Sequence, residues 1–393
     1  MARKEPILIV GGGIGGCILG IALLQRGIPF HIFEKRETLK EIGAGLSLWP
    51  NATRTLNNLG LQDTIGPLAG PAHTFGLLSS TGRAIARDLW KDVNERFGSP
   101  LIVVHRAELL RMFMEKIPPE LFHRGSTCAG FWHDSNDVLI RLSDGREYRG
   151  SALVGADGIH SAVRRLLKRP TQTRYAGYTA WRAVTPIQRS GLGPSGNWCG
   201  LYLGEGTQIG LAPIRNSRLY WFATRNIPEG IRPSSRGHLA ELLESFGHWP
   251  EPIVRTIAHL KETEIIRNDI IDLPPIKQWG KGRVTLMGDA AHAATPDLGQ
   301  GACMAIEDAA VLAARLSETD DFTSALRAYE RDRVQRTLRV AETSRRVGQA
   351  LQLKNPVLCH LRDFALGIVP AHARIEALSW LLDYDTSKPV RTR

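Results

Sequence analysis

The sequence predicts an α/β fold: a parallel-sheet domain of the Rossmann-like type, discontinuous along the chain, with a β-sheet-rich insertion and C-terminal helices. Three observations predict it. The chain opens as a short apolar strand, a glycine turn, a helix and a second strand. The stretch 175–225 holds several β-rich runs separated by turn residues. From Gly301 the pattern is helical almost to the end.

Each element follows from local chemistry. Pro6 to Val10 is apolar throughout, as a strand buried on both faces requires. A helix runs from about Ile14 to Gln25, Gly27 ends it, and Pro29 to Phe33 is the second strand. Gly43-Ala44-Gly45 leads into a helix over Pro50 to Leu59, stopped by Gly60. Residues 71–99 have weak periodicity and read as short strands and loops. Ser126 to Val154 reads as a β-meander with a hairpin turn at Asp144-Gly145. Further strands are Gly200–Leu203, Gln208–Leu211 and Leu219–Ala223, with a turn at Arg215-Asn216-Ser217. A helix from His238 to Phe246 puts Leu239, Leu242, Leu243 and Phe246 on one face. Prolines 250, 252, 274 and 275 punctuate the return to the first domain, and Pro356 and Pro370 break the terminal helices.

Composition narrows the function classes. With 393 residues, 43% hydrophobic and 23% charged, the chain has the length for two or three cores and is neither a disulfide scaffold nor a disordered polar chain. No apolar run approaches the roughly 18–20 residues that span a bilayer. Met1 to Pro6 does not read as a signal peptide, and the five scattered cysteines, without a CxxC pair, argue for a reducing, cytoplasmic setting. The histidines show no paired ligand spacing, so no metal site is expected. The net charge of +11 is spread along the chain rather than clustered, which favours an anionic small molecule over nucleic acid.

Gly11-Gly12-Gly13-Ile14-Gly15-Gly16 matches GxGxxG between a strand and a helix. The first glycine permits the tight turn, the second lets backbone approach a pyrophosphate, and the third lets helix pack on strand. The helix terminus supplies N–H groups to the phosphates. Glu34, at the end of the second strand, is placed for a ribose. The motif specifies a dinucleotide but not which one.

Two further segments decide it: Gly155 to Arg164, reading GADGIHSAVR, and Gly288 to Gly301, reading GDAAHAATPDLGQG. With the first motif they resemble the three signatures of the single-component FAD-dependent aromatic hydroxylases. That family has the para-hydroxybenzoate hydroxylase fold and includes salicylate and urate hydroxylases, zeaxanthin epoxidase and tetracycline-inactivating monooxygenases. The resemblance covers nearly the whole chain. It implies a GR2-type FAD-binding domain made of residues 1–75, 100–175 and 270–345. A β-rich substrate domain would comprise 76–99 and 176–269, and a C-terminal helical region 346–393.

By this resemblance FAD is held by Gly11, Gly13, Ile14, Gly15, Gly16, Glu34, Lys35, Gly45, Arg106, Asp157, Asp289, Gly299, Gln300, Gly301 and Ala302. Asp289 would bond a ribityl hydroxyl, and the helix start after Gly299 would face the flavin pyrimidine edge. Arg106 offers a fork suited to phosphate. Pro296 lies beside the isoalloxazine, and Gly43-Ala44-Gly45 corresponds to a stretch along which the flavin moves. His292 is expected to be structural, and Cys17 and Cys303 to be packing residues.

The implied activity is monooxygenation of a small aromatic or olefinic substrate with O2 and a transiently docked NADPH or NADH, through a flavin C4a-hydroperoxide. Arg182 and Tyr220 are the candidate substrate-activating residues, with Tyr220 and Phe222 on one strand face and Trp221 on the other. Tyr220 fits a urate hydroxylase, but Gln208 stands where an arginine is expected nearby. The rival readings are a flavin-fold halogenase or dehydrogenase and a non-catalytic flavoprotein that sequesters a ligand. Membrane contact carries little weight, and the expected assembly is a monomer or homodimer.

Overall fold

Five parallel strands form the spine, in the order Val284–Leu286, Ala152–Gly155, Ile7–Val10, Phe30–Phe33 and Phe122–His123. The computed structural model describes residues 5–38, 44–70, 74–167, 171–189, 198–233 and 235–388, and only the backbone of 87–91. Successive residues of a strand point to opposite faces, so the complete burial of Ile7, Leu8 and Ile9 means that both faces are covered. The helices Ile14–Leu24 and Gly301–Glu318 pack against one another, with Ala305 facing Gly15. A three-stranded antiparallel sheet, Glu147–Gly150, Val138–Leu142 and Cys128–His133, realises the meander, with Gly145 at φ 88° in its turn.

The second large sheet has seven strands in the order Ile266–Asp272, Arg174–Pro186, Arg218–Arg225, Thr207–Ile214, Trp198–Leu203, Thr74–Ser79 and Ala84–Leu89. One face is dry: Trp181, Trp221, Ile209 and Leu211 pack with Leu242, Phe246, Ile253 and Ile257 into a core of their own. The helices Gly237–Phe246 and Glu251–Ala258 supply those last four residues. From the opposite face Val184, Ala212 and Tyr220 meet the core of the first domain. The alternation read around Tyr220 therefore decides which side chains look toward the parallel sheet.

Three local expectations change. Residues 74–89 hold the short strands expected, Thr74–Ser79 paired with Ala84–Leu89, but they are followed by a helix, Trp90–Phe97, where only strands and loops were expected. The polar face of that helix masks its periodicity in the sequence. Leu243 is 37% exposed, because the face of its helix that meets the sheet is centred on Leu242 and Phe246. Pro356 does break the helical run, and it does so by starting a new helix, Pro356–Ile368, at whose first position its missing N–H costs nothing.

Candidate active site

The three sequence motifs converge at the carboxyl ends of adjacent strands. Gly11 N–H donates to Phe33 O, Ala156 N–H to Val10 O, and Met287 N–H to Gly155 O, at 2.8–2.9 Å. Gly11, at φ 114°, lies so close to the second motif that an added Cβ would fall 2.3 Å from Ala156 O. At Gly16 the obstacle is Gly11 O, 2.0 Å away, so helix and turn touch backbone to backbone. Ala305 is where motifs meet: Cβ atoms placed on Gly15 and on Gly288 would each stand 3.2 Å from its own. Arg164, buried, donates to Ala290 O at 2.8 Å and to Ile159 O, tying the second motif to the third.

Gly13 is different. A Cβ there would meet nothing within 4 Å, and its φ of −76° is open to any residue. The polar groups around this open ground are presented, not buried. Asp289 is exposed although Gly288 and Ala290 beside it are buried, and its Oδ1 lies 3.9 Å from the Cβ position of exposed Gly301, at the start of the helix Gly301–Glu318. Arg106 and Lys35 are exposed, and Arg106 N–H donates to Ala44 O, placing it beside Gly45. Glu34 spans the mouth of the turn, accepting from Gly12 N–H at 2.8 Å and Arg36 N–H at 3.0 Å. An open helix terminus flanked by a guanidinium and carboxylates fits a dinucleotide such as FAD. Gly43 lies outside the described residues.

Asp157 engages its own turn. Its carboxylate accepts from Ser161 Oγ at 2.5 Å and from the N–H groups of Ala162 and Val163, capping the helix Ala162–Leu166. Gln300 is buried, and its Oε1 accepts from Asn51 Nδ2 at 3.0 Å. Asn51 also donates to Glu307 at 2.6 Å, which joins the turn 299–302 to a buried ion network. In that network Arg333 bonds Glu307 and Asp308 at 2.7 Å each, and Asp308 binds His292 Nε2 at 2.6 Å and Gly288 N–H at 2.9 Å. Burial pushes the Asp308 carboxyl up, but His292 and Arg333 outweigh it and hold it well below the usual carboxylate range. Cys17 and Cys303 are buried, and burial pushes the Cys303 thiol up to about 12, so both are inert packing groups.

On the substrate side, the sheet brings Arg182 and Tyr220 together. Arg182 pairs with Phe222 and Val184 with Tyr220, so Arg182 and Tyr220 are diagonal neighbours on one face. Burial raises the Tyr220 phenol, and the charge and hydrogen bond of Arg182 oppose that rise without cancelling it. The Tyr220 ring lies over Gly45, where a Cβ would come within 2.2 Å of it. Only glycine allows this approach between the seven-stranded sheet and the strand Gly45–Leu48.

Two residues without an assigned role in the sequence reading complete the cluster. Tyr178 OH donates to Asp297 Oδ2 at 2.7 Å, next to exposed Pro296. Burial pushes Asp297 up, against the bonds from Tyr178 and Thr295, and the carboxyl stays above its usual range. Tyr178 is raised too, by burial first and then by Asp297, with Arg182 and Arg345 opposing. The signal was available: Tyr178, Ala180 and Arg182 alternate on one face of a strand. The partner in the turn 296–298 was not, because nothing local links the two.

Comparison with known proteins agrees with this geometry. Residues 4–344 match the family described as FAD binding domain. The chain is 38% identical over 365 residues to the aurachin C monooxygenase/isomerase of Stigmatella aurantiaca, covering 92% of this chain and 94% of that one. To an FAD-dependent urate hydroxylase of Klebsiella pneumoniae it is 34% identical, covering 84% and 86%. The crystal structure of Klebsiella pneumoniae HpxO complexed with FAD and uric acid superposes with a TM-score of 0.89 at 31% identity, over 95% of each chain. A salicylate hydroxylase substrate complex, at 22% identity and TM-score 0.82, shares the fold. The halogenase, dehydrogenase and ligand-sequestering readings find no support among these relatives. With its three converging motifs and this kinship, the chain belongs to the FAD-binding-domain family, has the para-hydroxybenzoate hydroxylase-like fold, and is an FAD-dependent monooxygenase.

Proposed function

We propose that this enzyme hydroxylates a small electron-rich aromatic ring bearing a hydroxyl or enolisable oxygen, and that Arg182 and Tyr220 face that oxygen. The observation that carries the reading is the Arg182–Tyr220 pair standing over Gly45, with the Tyr178–Asp297 pair on the adjoining turn.

Gly11, Gly13, Ile14, Gly15 and Gly16 hold the pyrophosphate at the start of the first helix, and Glu34 and Lys35 hold the adenosine ribose. Asp289 takes the ribityl chain, Arg106 flanks the pyrophosphate, Asp157 shapes the neighbouring turn by capping the helix Ala162–Leu166, and Gly299 to Ala302 with Pro296 border the isoalloxazine. FAD, when bound and reduced by NADPH or NADH, would supply the activation of O2, which gives one oxygen atom to the ring and the other to water. The protein's own residues then have two tasks. Arg182 stabilises negative charge as it grows on the substrate oxygen, in a site from which Tyr220 and Phe222 exclude water. Asp297, raised by burial, takes the proton that oxygen gives up, while Tyr178 holds the carboxylate in place. Gln208 contributes no charge on this face, so the site fits a neutral ring better than an anion that needs a second arginine.

A screen of phenols and hydroxylated heteroaromatics, scored by stimulated NAD(P)H oxidation and hydroxylated product, identifies the substrate. Against that substrate Arg182→Gln and Tyr220→Phe should each lower kcat/KM about a hundredfold with bound FAD unchanged. Full turnover in both variants would overturn the assignment.

A further inference from the structure

Of eleven large apolar side chains that stand exposed among the described residues, six lie on one short helix and its end: Val357, Leu358, Leu361, Phe364, Ile368 and Val369. Val357, Leu361, Phe364 and Ile368 recur every three or four residues, so they form one stripe, and they are 58–67% exposed. The helix is firmly built. Asn355 Oδ1 caps it by accepting from the N–H groups of Val357 and Leu358 at 2.9 and 3.2 Å, and Pro356 presets its first turn. Its other side has structural work, since Cys359 is buried and Gly367 lies against the Ile85 carbonyl, which covers the edge strand Ala84–Leu89. An apolar stripe on the outward side has no such task.

A second copy of the chain is a poor occupant. Thirteen residues give a stripe about 20 Å long and about 10 Å wide, far short of the roughly 800 Å² per partner that a stable dimer buries. The excess of 50 Lys and Arg over 39 Asp and Glu also repels a second copy, while it attracts an anionic surface. Near the helix Asp363 is engaged by Arg362 at 2.8 Å and Glu376 by Arg96 at 2.9 Å, whereas Lys354, His360 and His372 are exposed, as is the acid Glu205.

We infer that Pro356–Ile368 lies in the plane of an anionic lipid surface, with the Leu361–Phe364–Ile368 stripe among the acyl chains. This needs no crossing of the bilayer, and no helix among the described residues is long and apolar enough to cross one. The anchor is coupled to the substrate sheet: the adjoining Gln352 donates to Thr224 Oγ1 at 2.6 Å, and its carbonyl accepts from Asn226 at 2.8 Å.

The test uses the full-length, FAD-loaded protein in flotation with mixed phosphatidylcholine–phosphatidylglycerol vesicles and with phosphatidylcholine alone. Binding to the mixed vesicles should be about tenfold tighter than to the neutral ones. The combined variant Leu361→Ser, Phe364→Ser, Ile368→Ser should lose at least about tenfold of it, with flavin content and melting temperature unchanged as controls of folding. Independently, Phe364→Trp should shift its emission to the blue on anionic vesicles and be quenched by brominated acyl chains. The inference is overturned by equal binding to both vesicle types, by absence of binding, by undiminished binding of the triple variant, or by unquenched emission. A wild-type dimer that the triple variant turns into a monomer would also overturn it.

Discussion

Gly13 and Gly16 belong to one motif, and they are glycine for different reasons. Gly16 is small because Gly11 O leaves no room for a Cβ, which is a demand of the protein itself. Gly13 has room and an ordinary φ, so on the proposed reading its demand comes from the ligand. Gly13→Ala should fold and melt like the parent yet purify with little flavin, whereas Gly16→Ala should lose both stability and flavin. Absorbance at the flavin band against protein, with a thermal melt, separates the two. Asp297 makes a second case at this scale. Its raised carboxyl disfavours the charged form in the fold, so its cost is absent in acid and grows as pH rises through the usual carboxylate range. Asp297→Asn keeps an acceptor for Tyr178 and should melt higher than the parent at pH 8, with the gap closing toward pH 4. The same variant should lose turnover, since the proposed proton acceptor is gone.

Among elements, the helix Gly301–Glu318 has the most to hold in place. It presents its terminus at the site and sends Glu307 and Asp308 into the interior to meet Arg333 of the helix Phe322–Leu351. Replacing Asp308 by Asn leaves the buried Arg333 and His292 short of a charge, which costs about 3–5 kcal/mol. The parent's carboxyl is depressed, so its contribution is present at all pH above the ordinary carboxylate range and fades only as pH falls through its lowered folded value. Urea melts at pH 7 should therefore show this loss in Asp308→Asn. The helix itself was legible from its alanine-rich spacing. Its charged partners were not, because Arg333 is one of many arginines in a helix whose exposed and buried faces look alike until it packs.

At the scale of the whole molecule the proposed chemistry needs the seven-stranded sheet to approach the strand Gly45–Leu48 closely, and Gly45 under Tyr220 sets that approach. Gly45→Ala should push the Tyr220 ring away, lowering kcat by about a hundredfold while FAD stays bound. Steady-state kinetics with flavin content checks this, and restoring room with Tyr220→Ala should not rescue turnover. The sheet also takes in Thr74–Ser79 and Ala84–Leu89, from a stretch read as short strands whose weak periodicity hid the helix after them. Thr74–Ser79 is held as a strand by pairing with Trp198–Leu203, a partner far away in sequence, and Ala84–Leu89 pairs back onto it as the edge.

What the sequence by itself determined is what short spacing encodes. The glycine turn, the apolar parallel strands, the order of three motifs and the alternation around Tyr220 are set within a few residues of each other, where backbone geometry leaves few options. The tertiary structure alone decided who meets whom. Tyr178 found Asp297, Arg164 found Ala290, and Asn51 found Glu307. It also decided which face of Pro356–Ile368 stayed outside. Those outcomes depend on packing between segments separated by scores of residues, and no local pattern records a contact that only folding makes.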